Sequence, residues 1–371
     1  MALGKVSVNN LNLGQGAVTE IERYFLFIGP GAKNVGQLIP LNTQSDLDVQ
    51  LGIPDSSLKT QITAARANGG DRWACLAAPI AAEGNWQDAL AHAQQQGYSV
   101  ESIVITKPVT TGAELTAMHD AAIALNNTFG RRAFVIAATV GIQLVQTWTQ
   151  YLAEQRLITD GIAAPRVCVV PLLHGNDQGV LAGRLANAAV SIADSPMRVA
   201  TGAVLGLGPV PVDSESIPLP SAIRAELDTA RFSVTQTYPD YPGVFWADAN
   251  LLDAPGSDYQ VVEHLRLADK AARKVRILLI QRVGDRRLNN TANSMAANTS
   301  ALMAPLRAMA KSVTFAGQVF PGEIQPPKDG DIVLVWQSKT KVEAYITLRP
   351  HNCPKDLTAN IALDLSTDDS E

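Results

Sequence analysis

The first place where residue type and spacing suggest chemistry is Tyr24-Phe25-Leu26-Phe27-Ile28-Gly29-Pro30-Gly31, an apolar strand that empties into glycines. Dinucleotide-binding folds open in this way, offering backbone N–H groups to a pyrophosphate. Here the spacing differs. Gly29, Gly31 and Gly36 read GxGxxxxG, and Pro30 withdraws one of the donors a phosphate needs. Pro40 follows soon after, so no helix clearly opens and the run reads as a turn. Gly202–Gly208 leads into prolines, and no GxxxxGK followed by Ser or Thr is present. The histidines are His92, His119, His174, His264 and His351, and none lies three or four residues from another His or a Cys. That excludes the usual local spacing of a metal site. His351 and Cys353 are close but sit in a Pro-flanked turn. Cys75, Cys168 and Cys353 are odd in number and far apart, which reads as reduced thiols rather than a disulfide framework. No GxSxG elbow occurs, and no acid pair stands out. The expectation is no catalytic residue, no cofactor and no metal.

The cations carry more information. Val261–Arg287 holds Arg266, Lys270, Arg273, Lys274, Arg276, Arg282, Arg286 and Arg287 against Glu263, Asp269 and Asp285, a local excess of +5 in a chain of net charge -5. One reading is the solvated polar face of an amphipathic helix. The other is a cationic surface for an acidic partner, approached through long-range attraction. An acidic chain as a whole argues against a dedicated nucleic-acid binder.

The elements that would position these residues follow from hydrophobic patterning. With 371 residues and 46% hydrophobic content, the chain can build two domains, or one large domain with appendages. Only 18% is charged, below the globular average of about 25%, so partners are expected to cover some of the surface. No basic leader with an apolar run opens the chain and no apolar stretch reaches membrane-spanning length. A soluble product made in the cytoplasm, with no membrane partner, is expected.

Apolar runs at Tyr24–Ile28, Trp73–Ala78, Ser102–Thr106, Ala133–Thr139 and Arg166–Leu172 read as strands. Between and after them, Ser56–Asn68, Asn85–Gln96, Gly112–Phe129, Ile142–Ile158 and Gln178–Ala193 read as helices. That alternation implies βαβ units and a largely parallel sheet covered on both faces. Gly- and Pro-rich residues 202–220 read as a linker. Ser221–Thr229 follows as a short helix, Phe232–Thr237 as a strand, Tyr238–Gly243 as a turn and Val244–Ala247 as a strand, with a soft boundary near Arg231–Pro242. In the last third Tyr259–Val283 is a helix with the stripe Val261, Leu265, Ala268, Ala272, Val275 and Leu279. Ala292–Lys311 is a second helix, interrupted or kinked at Pro305. Ile332–Trp336 and Val342–Leu348 are strands, the second with Val342, Ala344, Ile346 and Leu348 on one face. Both ends read as isolated strands: Val6, Val8, Leu11 and Leu13 at one, and Leu357, Ile361, Leu363 and Leu365 at the other. A terminal strand needs a partner, in its own domain or in a neighbouring subunit.

Pro242-Gly243-Val244-Phe245-Trp246-Ala247-Asp248-Ala249-Asn250-Leu251-Leu252, then Asp258-Tyr259 and Arg266-Leu267-Ala268-Asp269-Lys270-Ala271-Ala272-Arg273, resembles contractile tail sheath proteins of bacteriophages and related injection machines. So does the ending Val342-Glu343-Ala344-Tyr345-Ile346-Thr347-Leu348-Arg349-Pro350 with its following strand. The resemblance covers about 130 residues and rests on the order of these features. It implies a mixed α/β and α+β chain. An arm at 1–20 precedes an α/β sheath region at 21–237. A C-terminal domain at 238–350 faces an inner tube, and a C-terminal arm occupies 351–371. It further implies that the arms add strands to neighbouring subunits, with Ile332–Leu348 as the receiving hairpin, and that Arg266, Lys270 and Arg273 face the tube. The partners implied are copies of the chain in stacked rings, a tail tube protein, and baseplate and tail terminator proteins. The location is a virion tail assembled in the host cytoplasm, and the work is contraction by subunit rotation, driving the tube through a bacterial envelope. Larger sheaths are longer than this chain, so a compact set of outer domains is expected. The alternatives are a nucleotide-binding α/β enzyme and another self-assembling virion component.

Overall fold

The computed structural model describes residues 21–315 and 318–363. In chain order the elements are β1 (Phe25–Pro30), β2 (Ile39–Asn42), α1 (Leu47–Leu51), α2 (Ser57–Asn68), β3 (Ala74–Ile80), α3 (Trp86–Gln95), β4 (Ser102–Ile105), α4 (Gly112–Phe129), β5 (Phe134–Thr139), α5 (Trp148–Thr159), β6 (Ala164–Pro171), α6 (Asp177–Ala186), α7 (Ser221–Thr229), β7 (Thr235–Tyr238), β8 (Tyr241–Trp246), β9 (Leu251–Leu252), α8 (Val262–Ile280), α9 (Ala292–Met309), β10 (Val313–Phe315), β11 (Gln318–Phe320), β12 (Ile332–Trp336) and β13 (Val342–Ile346).

Seven strands form one sheet in the order β2-β3-β1-β4-β5-β6-β9. The five central strands are parallel, and the short edge strands β2 and β9 run antiparallel. Both faces are buried, and the pleat divides them. Leu26, Ile28, Ile103, Val135 and Val167 pack with α3, α4, α5 and α7, whereas Phe25, Phe27, Val104, Phe134 and Ile136 pack with α1, α2 and α6. The expected βαβ alternation and covered parallel sheet are therefore present. Two glycines let α6 lie directly on α2: a Cβ at Gly179 or Gly183 would stand 2.1 Å from the Gln61 carbonyl oxygen or 2.3 Å from that of Ala65.

Several expectations are corrected. The helix expected at Ile142–Ile158 begins only at Trp148, where Thr147 and Gln150 form a reciprocal capping box. The helix expected through Ala193 ends at Ala186. β2 and α1 were missed because they are short and Pro40 argues against a strand, yet an edge position tolerates a proline. Residues 202–220 are no free linker, since Leu219 and Asp213 are buried and Val212 bridges Pro218. The expected boundary at 237/238 falls inside the β7–β8 hairpin. Beyond it the chain returns to the sheet, where Trp246 and Leu251 are buried and β9 pairs with β6.

A second core lies beyond the sheet. Leu267, Ala271 and Val275 of α8 meet Leu302, Met303, Leu306 and Met309 of α9 and Ile332 and Leu334 of β12. α9 runs through Pro305 without interruption, because buried side chains on both sides of the proline hold the helix despite its missing donor. α8 is also buried on more than the expected stripe. Glu263, Arg266, Asp269 and Arg273 are buried with its apolar residues, so the helix is enclosed from two directions.

Candidate functional site: a two-faced helix and an open hairpin

The polar face of α8 accounts for Arg266 and Arg273 of the cation cluster. Arg266, Asp269 and Arg273 recur at steps of three and four, so they share one side of the helix. That side crosses the amino-terminal ends of the parallel strands. Arg266 binds Glu101, just before β4, through two hydrogen bonds of 2.8 Å. Asp269 accepts 2.8 and 2.9 Å bonds from Arg166 of β6 and a longer 3.3 Å bond from Arg132, before β5. Arg273 donates to Glu22, before β1, at 2.9 Å. The signs alternate on both sides of the seam. Both side chains of the Arg266–Glu101 pair are only 2% exposed. Burying such charges is costly unless geometry and pairing are complete, and forked Arg–carboxylate contacts meet that condition. Burial would raise the Glu22 carboxyl, but Arg273 outweighs it and holds the pKa below its ordinary 4.5.

This placement corrects the tube-facing expectation for Arg266, Lys270 and Arg273. The first and last are enclosed, and Lys270 pairs with Glu323 at 2.5 Å inside the C-terminal lobe. The sequence did carry a signal. A charged residue stands at or just before the start of four of the five central strands, β1, β4, β5 and β6 (Glu22, Glu101, Arg132 and Arg166), and the α8 charges share one face. What is exposed on α8 is its far end, Arg276, Ile277 and Ile280, and the turn after it exposes Val283 and Arg286; neither Arg276 nor Arg286 makes a carboxylate pair among the described residues.

The β12–β13 hairpin is the second component. Its register pairs Ile332 with Ile346 and Trp336 with Val342. Thr347 N–H donates to the Asp331 carbonyl and Gln337 N–H to that of Lys341, which fixes the odd-numbered residues as the hydrogen-bonded pairs. The even-numbered backbone groups therefore point outward: Ile332, Leu334 and Trp336 at one edge, and Val342, Ala344 and Ile346 at the other. No described residue pairs with either outer edge. Val342, Ala344, Ile346 and Leu348 also turn partly buried side chains toward the second core. The β13 edge borders a groove of about 810 Å³ whose other wall includes Leu267, Ala268, Ala271 and Ala272 of α8.

The terminal segments are placed in part. Val6, Val8, Leu11, Leu13 and Leu365 lie outside the described residues. The strand expected at Leu357–Leu365 makes no ladder within the chain as far as residue 363, and Leu357, Ile361 and Leu363 are 82%, 91% and 83% exposed. An unpaired strand end has nothing here to form against.

The crevice where an open α/β sheet holds a nucleotide is filled by this chain's own side chains. Gln178 is fully buried and donates to the carbonyls of Ile105 and Ile136, spanning β4 and β5. A Cβ at Gly29 would stand 1.8 Å from the Thr106 hydroxyl, so the glycine at the end of β1 permits close packing rather than phosphate approach. His174 and Asp177, joined at 2.8 Å, were not singled out together in the sequence. Asp177 also takes the His174 backbone N–H at 2.6 Å, which makes the pair a brace for the turn entering α6. Among the described residues no cluster of three His, Cys, Asp or Glu side chains is arranged for a metal.

Comparisons with known proteins agree on one family. The model described as "DUF2586, N-terminal domain" matches residues 3–250, and "DUF2586, C-terminal domain" matches 258–366. A protein of Haemophilus phage HP1 (strain HP1c1) that carries the provisional name of tail sheath protein is 45% identical over 370 residues, 98% of each chain. The contracted sheath complex of an extracellular contractile injection system, PVC, has a TM-score of 0.64 at 13% identity over 98% of both chains. The contracted helical sheath of the anti-feeding prophage gives 0.61 at 13%, over 97% of this chain and 99% of that one. A sheath tail protein from Desulfitobacterium hafniense gives 0.56 at 12%, over 93% and 96%. At such identities the structural likeness shows the fold.

Proposed function

The chain belongs to the DUF2586 family and with it to the contractile tail sheath proteins, and from that membership we propose that it polymerises as stacked rings around a tail tube and contracts by subunit rotation. It is a structural subunit of a phage tail. The observation that carries the finer reading is the β12–β13 hairpin, with outward-facing backbone groups at both edges and exposed, unladdered residues 356–363 in the same chain. A neighbour's arm supplies the missing strand at each edge, joining subunits through main-chain hydrogen bonds that survive rotation of the bodies. Val6–Leu13 and Leu357–Leu365 are the arms in this reading.

The tube contact belongs to the exposed end of α8, with Arg276, Ile277 and Ile280, and to the turn that follows it, with Val283 and Arg286. A screened attraction to an acidic tube can form and break as the sheath widens. The action is conformational rather than chemical, and the filled crevice supports that. Baseplate and terminator proteins bound the polymer at its two ends, and assembly takes place in the host cytoplasm.

Electron microscopy of the concentrated full-length chain, with and without tube protein, tests this reading. Striated tubes or rings are expected, and removal of residues 1–20 or 356–371 should abolish them. Monomers alone, even with tube protein present, would overturn the reading. A nucleotide-dependent rise in melting temperature would favour the enzyme alternative instead.

A further inference from the structure

α8 touches the root of each arm. The N-terminal segment enters the described structure beside Glu22, whose carboxylate is held by Arg273 at 2.9 Å with side chains 6% and 9% exposed. The next residue is also fixed, with Arg23 N–H donating to Glu101 and its guanidinium to the Val190 carbonyl. At the other end, the chain leaves β13 through Arg349, which pairs with Asp331, and Pro350, whose carbonyl accepts from Gln325. It then reaches Lys355. The Lys355 ammonium binds Asp248 and lies 2.9 Å from Glu263 in the first turn of α8. Past Lys355 no described residue makes a hydrogen bond or ion pair, and the chain is exposed to residue 363. Glu263 and Arg273 are ten residues apart, or about 15 Å along a helix rising 1.5 Å per residue.

We infer that α8 is a strut that fixes the separation and exit direction of both arms, through a Glu22–Arg273 latch at one root and a Lys355–Asp248–Glu263 latch at the other. The inference rests on the sheath reading and goes beyond it by naming the residues that hold the roots. An arm that leaves from a fixed point searches less space before reaching a neighbour's sheet, so a held root strengthens assembly without adding an intersubunit contact. A fixed root also passes force from the arm into α8, and the Arg266 and Asp269 ion pairs carry it into the sheet. The C-terminal latch depends on its lysine. Burial and neighbouring Asp248 push the Glu263 carboxyl up, so without Lys355 two enclosed acids face each other.

Trypsin reads the C-terminal latch directly, because cleavage after Lys355 requires its side chain to leave the two acids. On the full-length chain, kept dilute and unassembled, Asp248→Asn with Glu263→Gln should speed cleavage at Lys355 about tenfold, the factor matching about 1.4 kcal/mol of lost restraint. Equal rates would overturn the latch whether or not the chain polymerises. In assembly, measured at a temperature where each monomer is still fully folded, Glu22→Gln and Lys355→Met should each raise the concentration needed for polymer about tenfold, whereas Lys355→Arg keeps wild-type assembly. Unchanged assembly in both neutral variants would refute the strut while leaving the sheath reading intact. A wild-type chain that never polymerises, even with tube protein, sinks the sheath reading instead, and the cleavage rates then decide the latch alone.

Discussion

The sheet lobe and the C-terminal lobe use the same kinds of residue to opposite ends. In the sheet lobe all five parallel strands have a hydrogen-bonded neighbour on each side, and the crevice at their carboxyl ends is closed by Gln178 and Thr106. In the C-terminal lobe β10–β11 and β12–β13 are two-stranded, and the second hairpin directs its backbone groups outward at both edges. Isolated hairpins are marginal in water, and this one is held by packing on α8 and α9 while its edges stay open. The difference teaches that one lobe pairs its interior strands within the chain, while the other leaves two hairpin edges without a partner among the described residues.

That comparison can be broken most forcefully in the sheet lobe. Phe27 is fully buried in β1, and Phe27→Ala should cost about 4 kcal/mol of folding stability, seen as a lower denaturation midpoint. A loss much below that would show the sheet lobe is less tightly packed than described. Next comes the seam. Arg266→Met leaves Glu101 enclosed without its cation and should cost about 3 kcal/mol, with much of it recovered when Glu101→Leu is added. No recovery in the double variant would mean that Arg266 acts by something other than pairing. In the hairpin, Ala344→Pro removes an outward N–H and no internal ladder bond. It should cost the monomer about 1 kcal/mol or less while abolishing polymers in the microscope. Normal polymers from this variant would remove β13 as a receiving edge.

The smallest effect is electrostatic. Because Arg273 depresses the folded pKa of Glu22, this pair's contribution is fully present above the ordinary value near 4.5. It is lost as pH falls through the depressed folded value. Midpoints measured from about pH 6 to about pH 3 should therefore fall more steeply in the wild type than in Glu22→Gln. Parallel curves would mean the pair has no role in folding.

Much of the sheet lobe was legible because buried parallel strands are continuous apolar runs and their helices are long. Gly112–Phe129 and Ser221–Thr229 begin and end where the sequence places them. Short elements were not legible. α1 has five residues, too few for a helical period to show, and β2 contains Pro40. In the candidate site, Ile332–Trp336 was readable from its apolar run and Val342–Leu348 from its alternation, but the outward direction of the even-numbered backbone groups depends on the register between the two strands.

The sequence by itself determined the alternation of strand and helix, the amphipathic character of α8 and the composition of the hairpin, since each depends on neighbours within a few positions of one another. Only the tertiary structure decided the destination of the charges. Arg266 lies 165 positions from Glu101, and Arg273 lies 251 from Glu22. A guanidinium at the surface and one sealed against a carboxylate are identical as letters. The difference comes from sheet order, which lines up the amino ends of β1, β4, β5 and β6 beneath one face of one helix, and local periodicity carries no information about that order.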